Sequence, residues 1–367
     1  MPLDANLILP VPLAIAIMVG CVTLTAVLVR ALDRGQRRDS QRDLDDLTRM
    51  FSAAIGERVA TDDVRRAVDR TSSGTFWSAL ERFSLRLRYV PWLRLSRVLD
   101  GNRHARAERR ALRDESPWRR VLAARRLGLL RSDSSRRALR RALVRGPELV
   151  ALHAVLALGR ARDRGALRWL LRHPESLAHR SPATLVGALR AFGPGALPDL
   201  ATALERGLDS QRLERAIIEV LGLGGEHAAR AALENRLTSG DLDLRVSAVR
   251  ALGRIQAIES ASALLAALED DAWQVRAQAA RALGEIGVAI AIPALAARLT
   301  DTSWWVRRHS AYALRRLGHE GQIALQRVVE TSPDAYAREM ADEALAGSWA
   351  PSVVGRLTQP RLRRRRA

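Results

Sequence analysis

The sequence predicts an all-α protein, a right-handed α-solenoid of about eight 31-residue helical hairpins preceded by one transmembrane helix. Three observations carry that expectation. Of 367 residues 47% are apolar but only 4% aromatic, so Ala and Leu supply the hydrophobicity, and both are strong helix formers. One segment returns every 31 residues through the second half of the chain. An uncharged run of 23 residues, Leu7 to Val29, comes before the repeats.

Taken in chain order, that run follows a short tail, residues 1–6, and residues 7–29 are read as the span. As a helix it would reach about 34 Å, against a hydrocarbon core of about 30 Å. The opening Met1-Pro2-Leu3-Asp4-Ala5-Asn6 has no cation, unlike the start of a cleaved signal peptide. A lipoprotein reading around Met18-Val19-Gly20-Cys21 is opposed by the apolar residues that continue after Cys21. Arg30, Arg34, Arg37 and Arg38 flank one side and only Asp4 the other, so the positive-inside rule predicts a single-pass protein of a bacterial inner membrane with its C-terminal body cytoplasmic. Cys21 is the single cysteine, which excludes a disulfide framework and any CxxC site.

Residues 30–115 read as a basic helical linker and cap. Leu44, Leu47, Met50, Phe51 and Ile55 recur at helical spacing, and Arg82 to Arg110 contains nine Arg and two acids among Phe83, Tyr89 and Trp92. Two readings stay open: a cap of the solenoid with a solvated basic face, or a segment lying on anionic lipid through Arg86, Arg88, Tyr89, Trp92 and Arg94.

Residues 116–350 carry the repeat. Leu244–Gln256, Val275–Gly287 and Val306–Gly318 align, and the frame extends to Leu127, Leu158, Leu189, Leu221, Leu252, Leu283, Leu314 and Leu345. The preceding residue is small in most units, as at Ala251, Ala282 and Ala313, which predicts close approach of a neighbouring helix. Gly253 and Gly284 read as C-caps. A second apolar stretch, such as Ser260–Glu269, completes each hairpin, and hairpins that cannot bury both stripes alone must stack. An arginine recurs as Arg120, Arg245, Arg276, Arg307 and Arg338, read as an internal ladder to acids and loop carbonyls of adjacent units. The frame holds Ala151, Pro182 and Glu214 in the middle, where Pro and Gly are also dense.

The pattern Asp-x-x-x-x-Val-Arg-x-x-Ala-x-x-Ala-Leu-Gly, carried by Asp270, Val275, Arg276 and Leu283-Gly284 and again by Asp301, Val306, Arg307 and Leu314, resembles the HEAT repeat, in particular the PBS-lyase HEAT-like variety, from about Trp118 to Ala346. The resemblance implies a solenoid that serves scaffolds, adaptors, lyases and other enzymes alike. Deoxyhypusine hydroxylases in this family bind iron through His-Glu pairs, but here His153 precedes Ala154 and His309 precedes Ser310, so no metal is expected. Nothing marks a bilin lyase. Alkylpurine DNA glycosylases are similar stacks that hold DNA against aromatic and Arg side chains, and Trp118, Trp273, Trp304 and Trp305 lie near the recurring arginine.

Charge distribution weighs between these options. All 60 cations are Arg, as GC-rich coding would favour, and the net charge is +20. Residues 30–131 hold 25 Arg against 14 acids, residues 132–350 hold 29 against 25, and the basic tail 351–367 holds six Arg and no acid. A nearly neutral body suits a protein partner better than nucleic acid. The sequence therefore predicts a membrane-anchored cytoplasmic scaffold, not an enzyme and without cofactor, whose partner-binding candidates are Trp273, Trp304, Trp305, Arg308 and His309. A nucleic-acid-binding protein is the alternative, and a lyase or other catalyst on the same scaffold the third.

Overall fold

A computed structural model describes residues 41–56, 58–84, 89–177 and 180–347, with the backbone alone for 89–93. Among them every regular element is helical. The chain forms two compact units, Met1–Ala161 and Arg162–Ala367.

The first unit opens with α1 (41–55), α2 (Thr61–Arg70), α3 (Ser73–Ser84) and α4 (Tyr89–Leu99). Leu44, Leu47 and Phe51 form the buried stripe of α1, Val64 and Val68 that of α2, and Phe76, Leu80 and Phe83 that of α3, all at helical spacing. Phe51 meets Phe83 edge-on at 5.8 Å. In α5 (Arg103–Ala111) His104 stacks on Phe76 at 5.0 Å with Nε2 3.2 Å from the Val68 carbonyl. Burial holds its pKa below the usual imidazole value, in spite of that carbonyl. The unit continues through α6 (Pro117–Leu130), α7 (Asp133–Arg145) and α8 (Glu148–Arg160), with α6 packed on both α7 and α8. A Glu108–Arg126 pair at 2.6 Å, with Arg126 also over the Trp77 ring at 5.8 Å, ties α5 and α3 to α6.

The expectation of a transmembrane helix and an inner-membrane location is corrected. Among the described residues no helix is long and apolar enough to cross a membrane. Residues 7–29, on which the expectation rested, lie outside the described residues, as do Arg86, Arg88 and the tail 351–367. Tyr89 and Trp92 fall within the backbone of α4, and Arg94 is exposed on that helix.

The second unit contains α9 (Arg164–Arg172), α10 (Pro182–Arg190), α11 (Leu197–Arg206), α12 (Gln211–Gly224), α13 (Arg230–Glu234), α14 (Leu242–Arg254), α15 (Ala261–Ala267), α16 (Trp273–Ile286), α17 (Ile292–Ala297), α18 (Trp304–Arg316), α19 (His319–Thr331) and α20 (Ala335–Ala346). The even-numbered helices pack on one another in sequence order, α10 through α20, while α11, α13, α15, α17 and α19 each pack against the helix that follows. Side-chain caps start most of the long helices: Asp163, Ser181, Ser210, Asp241 and Asp334 accept from backbone N–H groups of the first turn. The prolines of the Pro- and Gly-rich segment fall in first turns, as Pro182 in α10 and Pro198 in α11, where a missing N–H costs nothing. Leu189, Leu221, Leu252, Leu283 and Leu314, one per even-numbered helix, are buried.

The reading of Gly253 and Gly284 as C-caps is also corrected. Both lie inside helices. A Cβ on Gly253 would sit 2.9 Å from the Ala282 Cβ, and one on Gly284 2.7 Å from the Ala313 Cα. Gly222 meets Ala251 in the same way. Glycine after the repeat leucine and alanine before the next one thus form a single contact, which brings successive helices together with no side chain between them. The left-handed cap of α16 is Gly287, at φ 80°.

Candidate functional site

The recurring arginines form rungs between successive repeats. Arg245 donates Nε to Asp270 Oδ2 at 2.9 Å and Nη2 to Oδ1 at 3.2 Å, while Nη1 reaches the Ser239 carbonyl at 2.8 Å. Arg276 repeats the fork on Asp301 at 2.8 and 2.9 Å, with Nη1 on the carbonyls of Asp270 and Asp271. Each aspartate also accepts a backbone N–H of its own loop, from Ala272 or Ser303. The Asp301 hydrogen bond, against the opposing effect of burial, raises the Arg276 pKa. For Asp301 burial pushes the carboxyl up, but Arg276, the Ser303 N–H and the Arg298 charge together outweigh it and leave the pKa low.

Above this pair of forks the ladder ends. The position 25 residues after Arg307 is Ser332, so Arg307 keeps only carbonyls, Asp301 at 2.7 Å and Thr302 at 3.4 Å, and lies over the Tyr336 ring at 5.5 Å. Arg338 bonds the Ser332 carbonyl and Arg120 the Glu115 carbonyl. Below it the polarity inverts: Glu214 occupies the arginine position and takes its cation from Arg236, in the turn after α13, which donates Nε to Oε1 at 2.7 Å and Nη2 to the Leu204 carbonyl. Nothing in the repeat frame announced Arg236.

Exposed aromatic side chains gather on α18 and α20, with others at Trp118 and Trp273. Trp304 is 42% and Trp305 48% exposed, their rings edge to face at 4.9 Å. Arg308 lies over Trp304 at 4.8 Å, and His309, one turn after Trp305, stacks on it at 6.3 Å. Tyr312 is flanked by Arg316 at 6.0 Å. Tyr336, 63% exposed on α20, repeats the Trp305 position one period later. Trp273, also exposed, heads α16, the helix packed beside α18. The five sequence candidates therefore fall on two adjacent helices, four of them on two turns of α18. Tyr312 and Tyr336 were missed, although adding 31 to Trp305 points at Tyr336. Burial, followed by the charges of Arg281 and Arg308, lowers the His309 pKa to about 4 against the opposing Glu285, so the ring is neutral at pH 7.

Among the described residues no group of three or more His, Cys, Asp or Glu is placed to hold a metal ion. His153 lies in α8 and His309 in α18, in separate units and without adjacent glutamates. The second unit has an open groove of about 760 Å³ between α9 and α11, lined by Gly165, Arg168, Asp199, Thr202, Ala203 and Arg206 among others.

Against known proteins, the family model described as HEAT repeats matches residues 261–346, and that described as PBS lyase HEAT-like repeat matches residues 244–270. No curated protein matches the chain. Among solved structures, human deoxyhypusine hydroxylase is similar at 19% identity, covering 77% of this chain and 99% of its own, with a TM-score of 0.31. An engineered protein is similar at 18% identity, covering 84% and 94%, with a TM-score of 0.36, and Kap121p at 14% identity, covering 81% and 45%, with a TM-score of 0.35. Likenesses at this level bear on neither activity nor partner. HEAT-type repeats are present in residues 244–346.

Proposed function

We propose that the protein is a non-catalytic scaffold that docks a protein partner on the exposed face of α18 and its neighbours α16 and α20. The observation that carries this reading is the stacked group of Trp304, Trp305, His309 and Arg308 on α18, together with exposed Tyr336 of α20, over which Arg307 lies. Trp, Tyr and Arg dominate binding hot spots, and rings already held by stacking and cation–π contact lose little rotamer freedom on association. A neutral His309 keeps the face apolar at pH 7. Arg245 and Arg276 are committed to internal rungs, and residues 132–350 nearly balance 29 Arg with 25 acids, which favours a protein partner over phosphate backbones.

The test is capture from the native source by cross-linking, with full-length protein and a Trp304→Ala/Trp305→Ala variant that keeps its helical circular dichroism. A partner enriched by the parent and lost by the variant is expected. Equal enrichment by both, or sub-micromolar binding of DNA or RNA at physiological salt that the double substitution abolishes, would overturn the reading in favour of another face or of a nucleic-acid ligand.

A further inference from the structure

In the first unit the end of α5, the start of α6 and the second half of α7 enclose a cavity of about 320 Å³. Five of its ten lining residues are arginines, Arg109, Arg113, Arg120, Arg141 and Arg145, and none is acidic. The arginines differ in how far the protein satisfies them. Arg109 is half-buried, with Nη1 on the Asp100 carbonyl at 3.1 Å and the Ser134 hydroxyl at 3.0 Å, and only a loose 3.5 Å approach to the Asp100 carboxylate. Arg120 donates Nη2 to the Glu115 carbonyl, and its buried Nε has no hydrogen-bond partner. Arg113, Arg141 and Arg145 are exposed at its mouth and, among the described residues, make no ion pair and no side-chain hydrogen bond.

Five guanidinium groups around one small space, two of them partly buried, create a local positive field that attracts an anion. At the start of α6, beside Arg120, Ser116 makes no side-chain cap bond and the first turn has no acid, while the Asp114 carboxylate just before it accepts the Ser116 N–H. Burial lowers the pKa of Arg109, against the opposing charge of Asp100. Two nearby carboxylates are partly engaged: Asp114 accepts from the Ser116 N–H, and Asp100 takes the Ser134 hydroxyl beside its 3.5 Å approach to Arg109. The volume lies at the small end of ligand pockets, too small for a folded partner or a duplex and sufficient for a compact anion. Guanidinium forks match phosphate oxygens two at a time, and four uncompensated positive charges call for an anion of charge about −3 or −4.

We propose that this pocket binds a condensed phosphate of two or three groups, either free or as the tail of a nucleotide. The five arginines clamp its oxygens.

Isothermal titration of the full chain at about 150 mM salt with pyrophosphate, tripolyphosphate, ATP, orthophosphate and sulfate tests it. Pyrophosphate or tripolyphosphate should bind at least tenfold more tightly than orthophosphate or sulfate. Equal affinity for ATP and tripolyphosphate assigns the site to the phosphate chain alone, and ATP tighter by tenfold or more assigns it to a nucleotide. Arg141→Gln/Arg145→Gln should weaken binding by tenfold or more, and Arg141→Lys/Arg145→Lys, which keeps charge but loses the fork, by a smaller factor. No binding at millimolar concentration, sulfate binding as tightly as pyrophosphate, or affinity unchanged in the double variants would overturn the proposal. The last result would place the anion elsewhere, on another basic segment such as Arg361–Arg366.

Discussion

Truncating Arg276 to Ala isolates what one rung of the ladder contributes. The side chain is 13% exposed and its partner Asp301 3%, so the substitution leaves an almost fully buried carboxylate. Breaking a buried pair by removing one partner costs roughly 3–5 kcal/mol. Asp301 keeps the Ser303 N–H at 2.8 Å and Arg298 at 3.8 Å, and the two loop carbonyls released by Arg276 can turn to water, so the loss here should be nearer ~2–3 kcal/mol. Arg307 is the internal control. It holds the same frame position, but Ser332 stands where its acid would be, and it gives up only two carbonyl bonds and the Tyr336 ring, for about 1 kcal/mol. Hydrogen exchange read peptide by peptide suits the measurement, since a repeat array need not unfold in one step. Arg276→Ala should lower protection in α16 and α18 most. Arg276→Met with Asp301→Leu should recover part of the loss, which shows as coupling between the two sites. Equal costs for Arg276→Ala and Arg307→Ala, or strict additivity in the Arg276–Asp301 cycle, would refute the fork as the source of rung stability.

Two further outcomes follow from single contacts. Gly284→Ala should destabilise by about 1–3 kcal/mol, because its Cβ would press on the Ala313 backbone, and thermal melting checks it; a neutral or stabilising result would mean that the α16–α18 contact is looser than its geometry. His309, with a folded pKa of about 4 against about 6.5 unfolded, stays neutral in the fold while the unfolded chain takes up a proton. Stability should therefore fall as pH drops from about 6.5 towards 4 and stop falling on this account below that. In denaturant titrations across that window His309→Gln should flatten the slope.

Legibility in the sequence followed repetition. Seven of the eight frame leucines are buried and all fall in even-numbered helices from α6 to α20, because a residue facing the same neighbour in every unit is selected the same way every time. The glycines repeated as faithfully but were misread. A Gly one residue past a buried leucine near a helix end looks like a cap, and only the structure shows Ala282 and Ala313 against it. Features without a counterpart in the frame were not legible. Phe51, Phe76, Trp77 and Phe83 come together from helices that follow no repeat, and Arg236 reaches Glu214 from a turn 22 residues away. The arginine pocket depends on α5, α6 and α7 meeting, so its members read only as part of a basic stretch. On α18 the Trp and His candidates were visible as types, whereas their stacking order and the burial that, with Arg281 and Arg308, lowers the His309 pKa required the packed helices.

The place where the repeat rule lapses also bears on function. Through Arg245 and Arg276 the acid of the next unit absorbs each arginine, and Gln274, at the position equivalent to Trp305, is polar. One unit later the acid is replaced by Ser332, and in the same unit the polar position becomes Trp305, followed by Tyr336. Arg307, released from a carboxylate, lies over the Tyr336 ring and helps hold it in place. A substitution serving stability alone would have retained the aspartate, since the fork is the stronger contact. Exchanging it for a cation–π contact trades rung strength for an oriented aromatic at the surface. Local departures from an otherwise consistent pattern mark functional sites more often than random ones, and this one coincides with the exposed face of α18. Ser332→Asp should therefore restore the missing fork to Arg307, raise hydrogen-exchange protection in α18 and α20, and weaken partner capture by drawing Arg307 away from Tyr336. Added protection with capture unchanged would separate the ladder's end from the docking face.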